Sequence, residues 1–174
     1  QMCIRDRFID GKWQPSEKNE TYEVINPATE ETLGHASKAT PSDVDKALKS
    51  AQKGLKVWKQ TPPWQRSYII RRIADKMREK QDVLAKWMTL EVGKPFAEAK
   101  GEVGGAADIF EWNAEETKRI YGQTVESRFA DTRVHVYYQP VGVVAALSPW
   151  NFPLVLSSRK ISTALAAGCS VIIK

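Results

Sequence analysis

The stretch from Tyr138 to Lys174 constrains the fold more than any other part of the chain. Val141 to Leu147 is a near-continuous apolar run with one glycine, Gly142. That is the pattern of a strand buried on both faces, as in a parallel sheet. Ser148-Pro149-Trp150-Asn151-Phe152-Pro153 stops the run, and its two prolines exclude a continuing strand. Pro153 suits the first turn of a helix, where no backbone donor is needed. Leu154 to Ala167 supplies Leu154, Ile161, Leu165 and several alanines for that helix, and Gly168 stands where a C-terminal cap belongs. Ser170 to Lys174 repeats the buried-strand pattern. Strand, loop, helix and strand make one βαβ unit with a polar loop at the carboxyl end of its first strand. In open α/β sheets, ligands bind at that edge.

The chain length of 174 residues suits one domain with an appended element. An apolar fraction of 42% is enough to build a core. No apolar run reaches the ~18 residues of a membrane-crossing helix, and no signal peptide opens the sequence, so no membrane partner is expected. The net charge is +5, but the basic residues are spread out. Arg71, Arg72 and Lys76 to Lys80 lie among acids on what reads as a solvated helix face, so no nucleic-acid partner is expected. Two cysteines, Cys3 and Cys169, do not make a disulfide framework, and a reducing, cytoplasmic setting fits them. His35 and His135 have no metal-ligand spacing around them, so no metal is assigned. Gln1 to Arg7 does not begin with Met and is set aside as a non-native scar.

From Phe8 the chain reads as a hairpin turning at Asp10-Gly11. Tyr22 to Ile25 and Glu31 to Ala36 are short strands. Thr40 caps a first helix with Pro41 at its first position, and Val44, Ala47, Leu48, Ala51, Leu55 and Trp58 form its buried stripe. A second helix starts at Thr61-Pro62-Pro63, with Ile69, Ile70, Ile73 and Met77 inward and Arg66, Arg71, Arg72 and Lys76 in water. Asp82 caps a third, with Val83, Leu84, Trp87 and Met88 inward. Gly93-Lys94-Pro95 separates it from a long fourth, with a stripe of Phe96, Ala99, Val103, Ala107, Phe110, Ala114 and Thr117. Gly101, Gly104 and Gly105 weaken that helix by ~1 kcal/mol each against Ala, and are expected to admit another backbone at close range. Val134, Val136 and Tyr138 alternate with Arg133, His135 and Tyr137, the pattern of a half-exposed antiparallel strand. Phe129 to Thr132 turns it back on an earlier strand. A two-stranded hairpin is marginal alone and needs a partner sheet.

PxGVVxxxxPWNFPL, followed by ALAAG and a strand ending in lysine, resembles the NAD(P)-dependent aldehyde dehydrogenase family. The resemblance extends back through Leu90 to Pro95 and Ile25 to Thr29, covering the chain from about Phe8. A finer resemblance, to the branch that oxidises succinate semialdehyde and related ω-carboxylated aldehydes, is carried by Ser158-Arg159-Lys160, Ala167-Gly168-Cys169 and Glu115 to Gly122. The resemblance implies an α/β fold: the amino-terminal part of a Rossmann-like cofactor domain, with leading helices and a protruding β-hairpin arm, left incomplete. Its expected divisions are residues 8–122 of the cofactor domain, the oligomerisation arm 123–139, and the first βαβ unit 140–174. It further implies an aldehyde substrate, NAD or NADP as cofactor, and a homodimer or homotetramer of the full-length protein.

In that family a cysteine thiolate adds to the carbonyl, hydride leaves to NAD(P)+, and water hydrolyses the thioester. The resemblance makes Asn151 the donor to the oxyanion, since a rigidly held amide NH2 can stabilise that charge. The residue alone reads more readily as an Asx-type cap on the following helix; the PWNFP context is what favours the oxyanion role, and the two are compatible. Leu147, Ser148, Pro149 and Trp150 are implied cofactor contacts, although Trp150 alone would also read as a core aromatic. A lysine ending a buried strand should point into the cleft beyond the sheet. The resemblance gives Lys174 the adenosine ribose hydroxyls, and the plain alternative is an exposed strand end. The Arg159 fork suits a carboxylate, and the finer resemblance assigns it to the substrate's; a surface arginine is the alternative. Cys169, in an apolar helix-to-strand corner, reads as an inert small hydrophobe and not as the nucleophile. The family's nucleophilic cysteine and general-base glutamate are expected beyond Lys174, and no GxGxxG occurs. Thr163 stands where the family more often has Pro. A non-catalytic module, binding through its exposed hairpin, is the competing reading.

Overall fold

The computed structural model describes residues 7–174. Most of the segment set aside at the amino terminus, with Cys3, lies outside the described residues. β1 (Arg7–Ile9) and β2 (Lys12–Gln14) form the expected hairpin. Asp10 and Gly11 turn it with φ of 52° and 75°, the left-handed pair that a two-residue hairpin turn requires. β3 (Thr21–Ile25) and β4 (Thr32–Ser37) pair antiparallel with an irregularity at Val24/Ile25.

α1 (Pro41–Trp58) begins with a full capping box: Thr40 and Asp43 satisfy each other's backbone donors. Asp43 is buried and also accepts from Arg7, whose Nη1 lies 2.9 Å from Oδ2. That guanidinium, with the N–H groups of Thr40 and Glu17, holds the Asp43 carboxyl well below the usual carboxylate range. α2 (Pro63–Glu79), α3 (Gln81–Val92) and α4 (Phe96–Glu116) follow, and a 3-10 turn at Thr117–Arg119 ends the run. β5 (Gln123–Glu126) and β6 (Arg133–Val136) pair antiparallel. β7 (Val143–Ala146) and β8 (Ser170–Ile173) pair in parallel, with α5 (Pro153–Ala166) as the crossover between them. The βαβ unit read from the sequence is therefore present, and the fold is α/β. Among the described residues no helix is long and apolar enough to cross a membrane.

The core lies between helices. Ile70, Ala74 and Met77 of α2 pack against Ala106, Ala107, Phe110 and Ala114 of α4 and Ala166 of α5. A second cluster joins Ala85 and Met88 of α3 to Ala99 and Val103 of α4. Alanines at these contacts let helix axes approach closely. α1 and α5 both touch β7 and β8, so the short parallel sheet is held by helices from two parts of the chain. Trp58 Nε1–H donates to the Leu165 carbonyl at 2.9 Å and ties the end of α1 to α5. Asn113 Nδ2 donates to the buried Ser162 Oγ at 3.0 Å, joining α4 to α5.

Several expected stripes are corrected at their edges. Val44, Leu48, Ile69, Val83 and Phe96 are exposed. On α2 the buried positions are Arg66, Ser67, Ile70, Ala74 and Met77, and Ile69 falls about 100° off that face. Arg66 is buried instead of solvated; its Nη1 donates to the Thr61 carbonyl at 2.9 Å, and burial pushes its pKa down. Asp82 does not cap α3, whose N-cap is Lys80; it pairs with Lys100 at 2.7 Å. The α4 glycines admit no backbone. A Cβ at Gly101 would meet open space, and one at Gly105 would make an ordinary contact with Val155. The close approach is at Gly122, where a Cβ would stand 2.4 Å from the Val136 carbonyl oxygen at the base of the hairpin. That hairpin is exposed on every residue of both strands instead of half-exposed, because no sheet within the described residues covers it.

Candidate functional site at the carboxyl edge of the parallel pair

The ladder between β7 and β8 runs past the last strand residues. The Lys174 N–H donates to the Ala146 carbonyl at 2.9 Å, and the Ser148 N–H donates to the Lys174 carbonyl at 3.0 Å. Lys174 and Ser148 therefore lie side by side at the carboxyl edge. Leu147 (66% exposed) and Trp150 (77% exposed) stand out from that edge, and Pro149, Asn151 and the Lys174 side chain are also exposed. Five of the six candidate cofactor and catalytic positions in the loop and strand end are thus in solvent, with Ser148 half-buried. Trp150 is not a core aromatic. Lys160 reaches back from α5, and its Nζ donates to Ser148 Oγ at 3.4 Å and to the Leu156 carbonyl at 3.2 Å.

Asn151 does not cap α5. The N-cap is Phe152, which carries no side-chain cap hydrogen bond. The free donors of the first turn are met from another helix. Glu102 Oε1 accepts from the Leu154 N–H at 3.0 Å and the Val155 N–H at 3.1 Å. Glu102 is buried and pairs with Lys94. Lys94 Nζ in turn donates to the Asn151 carbonyl at 3.1 Å and sits 3.7 Å from the centre of the Phe152 ring. A carboxylate at a helix N-terminus is favoured by the exposed N–H groups and by the helix dipole.

Arg159 is exposed on α5, seven residues past the N-cap and therefore about 10 Å along the axis. It is not part of the loop cluster. Cys169 is buried at the corner between α5 and β8, away from the exposed loop. Lys94 and Glu102 went unassigned in the sequence. Glu102 did leave a signal. Ala99, Glu102, Val103 and Ala106 share one helical face, so the acid occupies a core-facing position.

Residues 13–174 match the aldehyde dehydrogenase family. The chain belongs to the aldehyde dehydrogenase family. Among curated aldehyde dehydrogenases, it is 44% identical over 174 residues to glutarate-semialdehyde dehydrogenase of Pseudomonas putida KT2440, covering all of this chain and 36% of that one. It is 45% identical over 167 residues to the NADP+ succinate-semialdehyde dehydrogenase of Escherichia coli K12, covering 96% of this chain and 35% of that one. The solved succinate-semialdehyde dehydrogenase of Burkholderia pseudomallei superposes with a TM-score of 0.95 at 41% identity, over 97% of this chain and 35% of that structure. The chain thus spans about 36% of the length of the curated aldehyde dehydrogenases it matches.

Proposed function

We propose that these residues form the oxyanion donor and part of the cofactor cleft of an NAD(P)-dependent semialdehyde dehydrogenase. The observation that carries the reading is the placement of Asn151. It is exposed in the loop that follows the carboxyl end of β7, released from capping duty, and flanked by Trp150 and Phe152. A neutral amide fixed there can donate to an oxygen that gains charge as a thiolate adds to the aldehyde carbonyl.

The edge fits a nicotinamide dinucleotide. Lys174 offers an exposed cationic donor for ribose hydroxyls, beside the exposed apolar surfaces of Leu147 and Trp150 and the backbone of Ser148 and Pro149. When bound, the cofactor accepts the hydride released from the tetrahedral adduct. The E. coli relative is named for NADP+. The cysteine nucleophile and general-base glutamate of thioester chemistry are roles that the reading gives to none of the 174 residues; Cys169 is buried at a helix–strand corner. The substrate is succinate semialdehyde or a related ω-carboxylated aldehyde, with Arg159 as the group for its carboxylate. The names of two relatives support this. The fully exposed β5–β6 hairpin suits pairing across subunits in a homodimer or homotetramer.

The test is oxidation of succinate and glutarate semialdehydes with NAD+ and NADP+ by the product of the full open reading frame. Asn151→Ala should lower kcat by about 10²–10³-fold, the usual cost of losing one oxyanion donor. Arg159→Leu should raise KM for these aldehydes and leave KM for an uncharged aldehyde unchanged. A folded protein that oxidises no aldehyde, or an Asn151→Ala variant with wild-type kcat, would sink the reading.

A further inference from the structure

We propose that Lys94 and Glu102 are a positioning pair that aims Asn151. The proposal rests on the role given to Asn151 above. Their side chains are nearly dry, 9% and 1% exposed, and they are ion-paired to each other. Between them they grip four residues of one five-residue segment. Lys94 holds the Asn151 carbonyl and covers the Phe152 ring, and Glu102 accepts the Leu154 and Val155 N–H groups.

Helix capping alone does not require this arrangement. An uncharged acceptor at position 102 would satisfy both N–H groups, and a buried ion pair is seldom more stabilising than an apolar pair of similar volume. What the lysine adds is a fixed position for the Asn151 carbonyl. Once that carbonyl and the first turn of α5 are both pinned, the Cα–Cβ bond of Asn151 has one direction. A donor built on a loop needs such support, because a displacement of about 1 Å can cost 10²-fold in rate.

The deciding variant is the double substitution Lys94→Met/Glu102→Gln, made in the product of the full open reading frame. Glutamine still accepts from the Leu154 and Val155 N–H groups, and no charge is left unpaired, so α5 stays capped while the Asn151 carbonyl is released. The expected result is a retained fold with a melting temperature lowered only by the buried amide NH2 at position 102, kcat lower by at least about tenfold, and an unchanged KM for the nicotinamide cofactor. Adding Asn151→Ala to this background should cost much less than it costs in the wild type, since the donor is already misaimed. Wild-type kcat in the double variant, or losses that simply multiply, would overturn the proposal while leaving the role of Asn151 intact. If Asn151→Ala itself keeps wild-type kcat, the functional reading falls and the positioning role with it. Should the double variant fail to fold, Lys94→Gln carries the test. Its amide can pair with Glu102 but is too short to reach the Asn151 carbonyl as well, and the same kcat-only loss is expected. Wild-type kcat in that variant overturns the proposal.

Discussion

Gly168 sets the corner from which β8, and with it Lys174, enters the sheet. α5 ends there in a Schellman arrangement: the Gly168 N–H donates to the Leu165 carbonyl at 3.0 Å, and the Cys169 N–H donates to the Ala164 carbonyl at 2.9 Å. The backbone at Gly168 is left-handed, with φ of +88°. Gly168→Ala therefore meets two costs. The left-handed conformation costs an L-residue about 1–2 kcal/mol. A Cβ at that position would also lie 2.9 Å from Pro140 Cγ and 3.4 Å from Arg66 Nη1. Neither neighbour gives way easily, because the proline is a ring and Arg66 is buried. Overpacking of this kind costs about 1–3 kcal/mol. The expected total is about 2–5 kcal/mol, and at roughly 2–4 °C per kcal/mol the melting temperature should fall by at least about 4 °C. Gly168→Asn separates the two costs. Asparagine tolerates the left-handed region but carries the same Cβ, so it should recover up to about 1 kcal/mol and no more. Thermal unfolding of the three proteins, followed by circular dichroism, measures this. An alanine variant that melts with the wild type would refute the steric argument. An asparagine variant that melts with the wild type would show that the neighbours do not constrain the corner.

Two further outcomes follow from the geometry. The Asp43 carboxyl is depressed in the folded state, chiefly by Arg7, so its contribution is complete above the ordinary carboxylate pKa and shrinks as pH falls below about 4. Melts of wild type and Asp43→Asn should therefore differ at pH 7 and converge on acidification; a gap that stays constant down to pH 3 would contradict this. Cys169 is buried and remote from the loop, so Cys169→Ala should leave kcat near wild type, and the native thiol should resist a thiol-reactive dye until the protein unfolds; loss of activity with retained fold would contradict the reading of Cys169 as an inert small hydrophobe.

Local chemistry is what made the fold legible in the sequence. Asp10-Gly11 fixed a hairpin turn, Thr40-Pro41 fixed a helix start, and Gly168 fixed a helix end, because each depends on the φ and donor count of a few neighbouring residues. The apolar runs on either side of α5 marked the parallel pair by composition, although the two strands are only partly buried, with Ala145 and Ile173 exposed and Val141 and Leu147 exposed on either side of β7. Stripe edges were less legible: Ile69 and Val83 are as apolar as their buried neighbours, and only the packing of α2 and α3 on α4 decides which side is covered. Arg66 shows the reverse error, a charged residue buried because the Thr61 carbonyl lies within reach of its guanidinium.

The loop at the carboxyl edge was legible as a place, but the means of holding it was not. Asn151 reads plausibly as its own helix cap, because the sequence shows an asparagine just ahead of a helix and nothing else that could serve. The acceptor that meets the first-turn donors is in fact Glu102, 52 positions from Leu154. Sequence distance hides that pairing, but physical chemistry leaves a trace of it. An acid at a core-facing register of α4 is costly to bury unless something meets it. Two helix N–H groups and one lysine meet it here, and all three converge on the segment that carries Asn151. A buried charge inside an alanine-rich stripe thus points to a distant segment that needs holding. In this chain the segment so held is the one whose exposed amide carries the proposed chemistry.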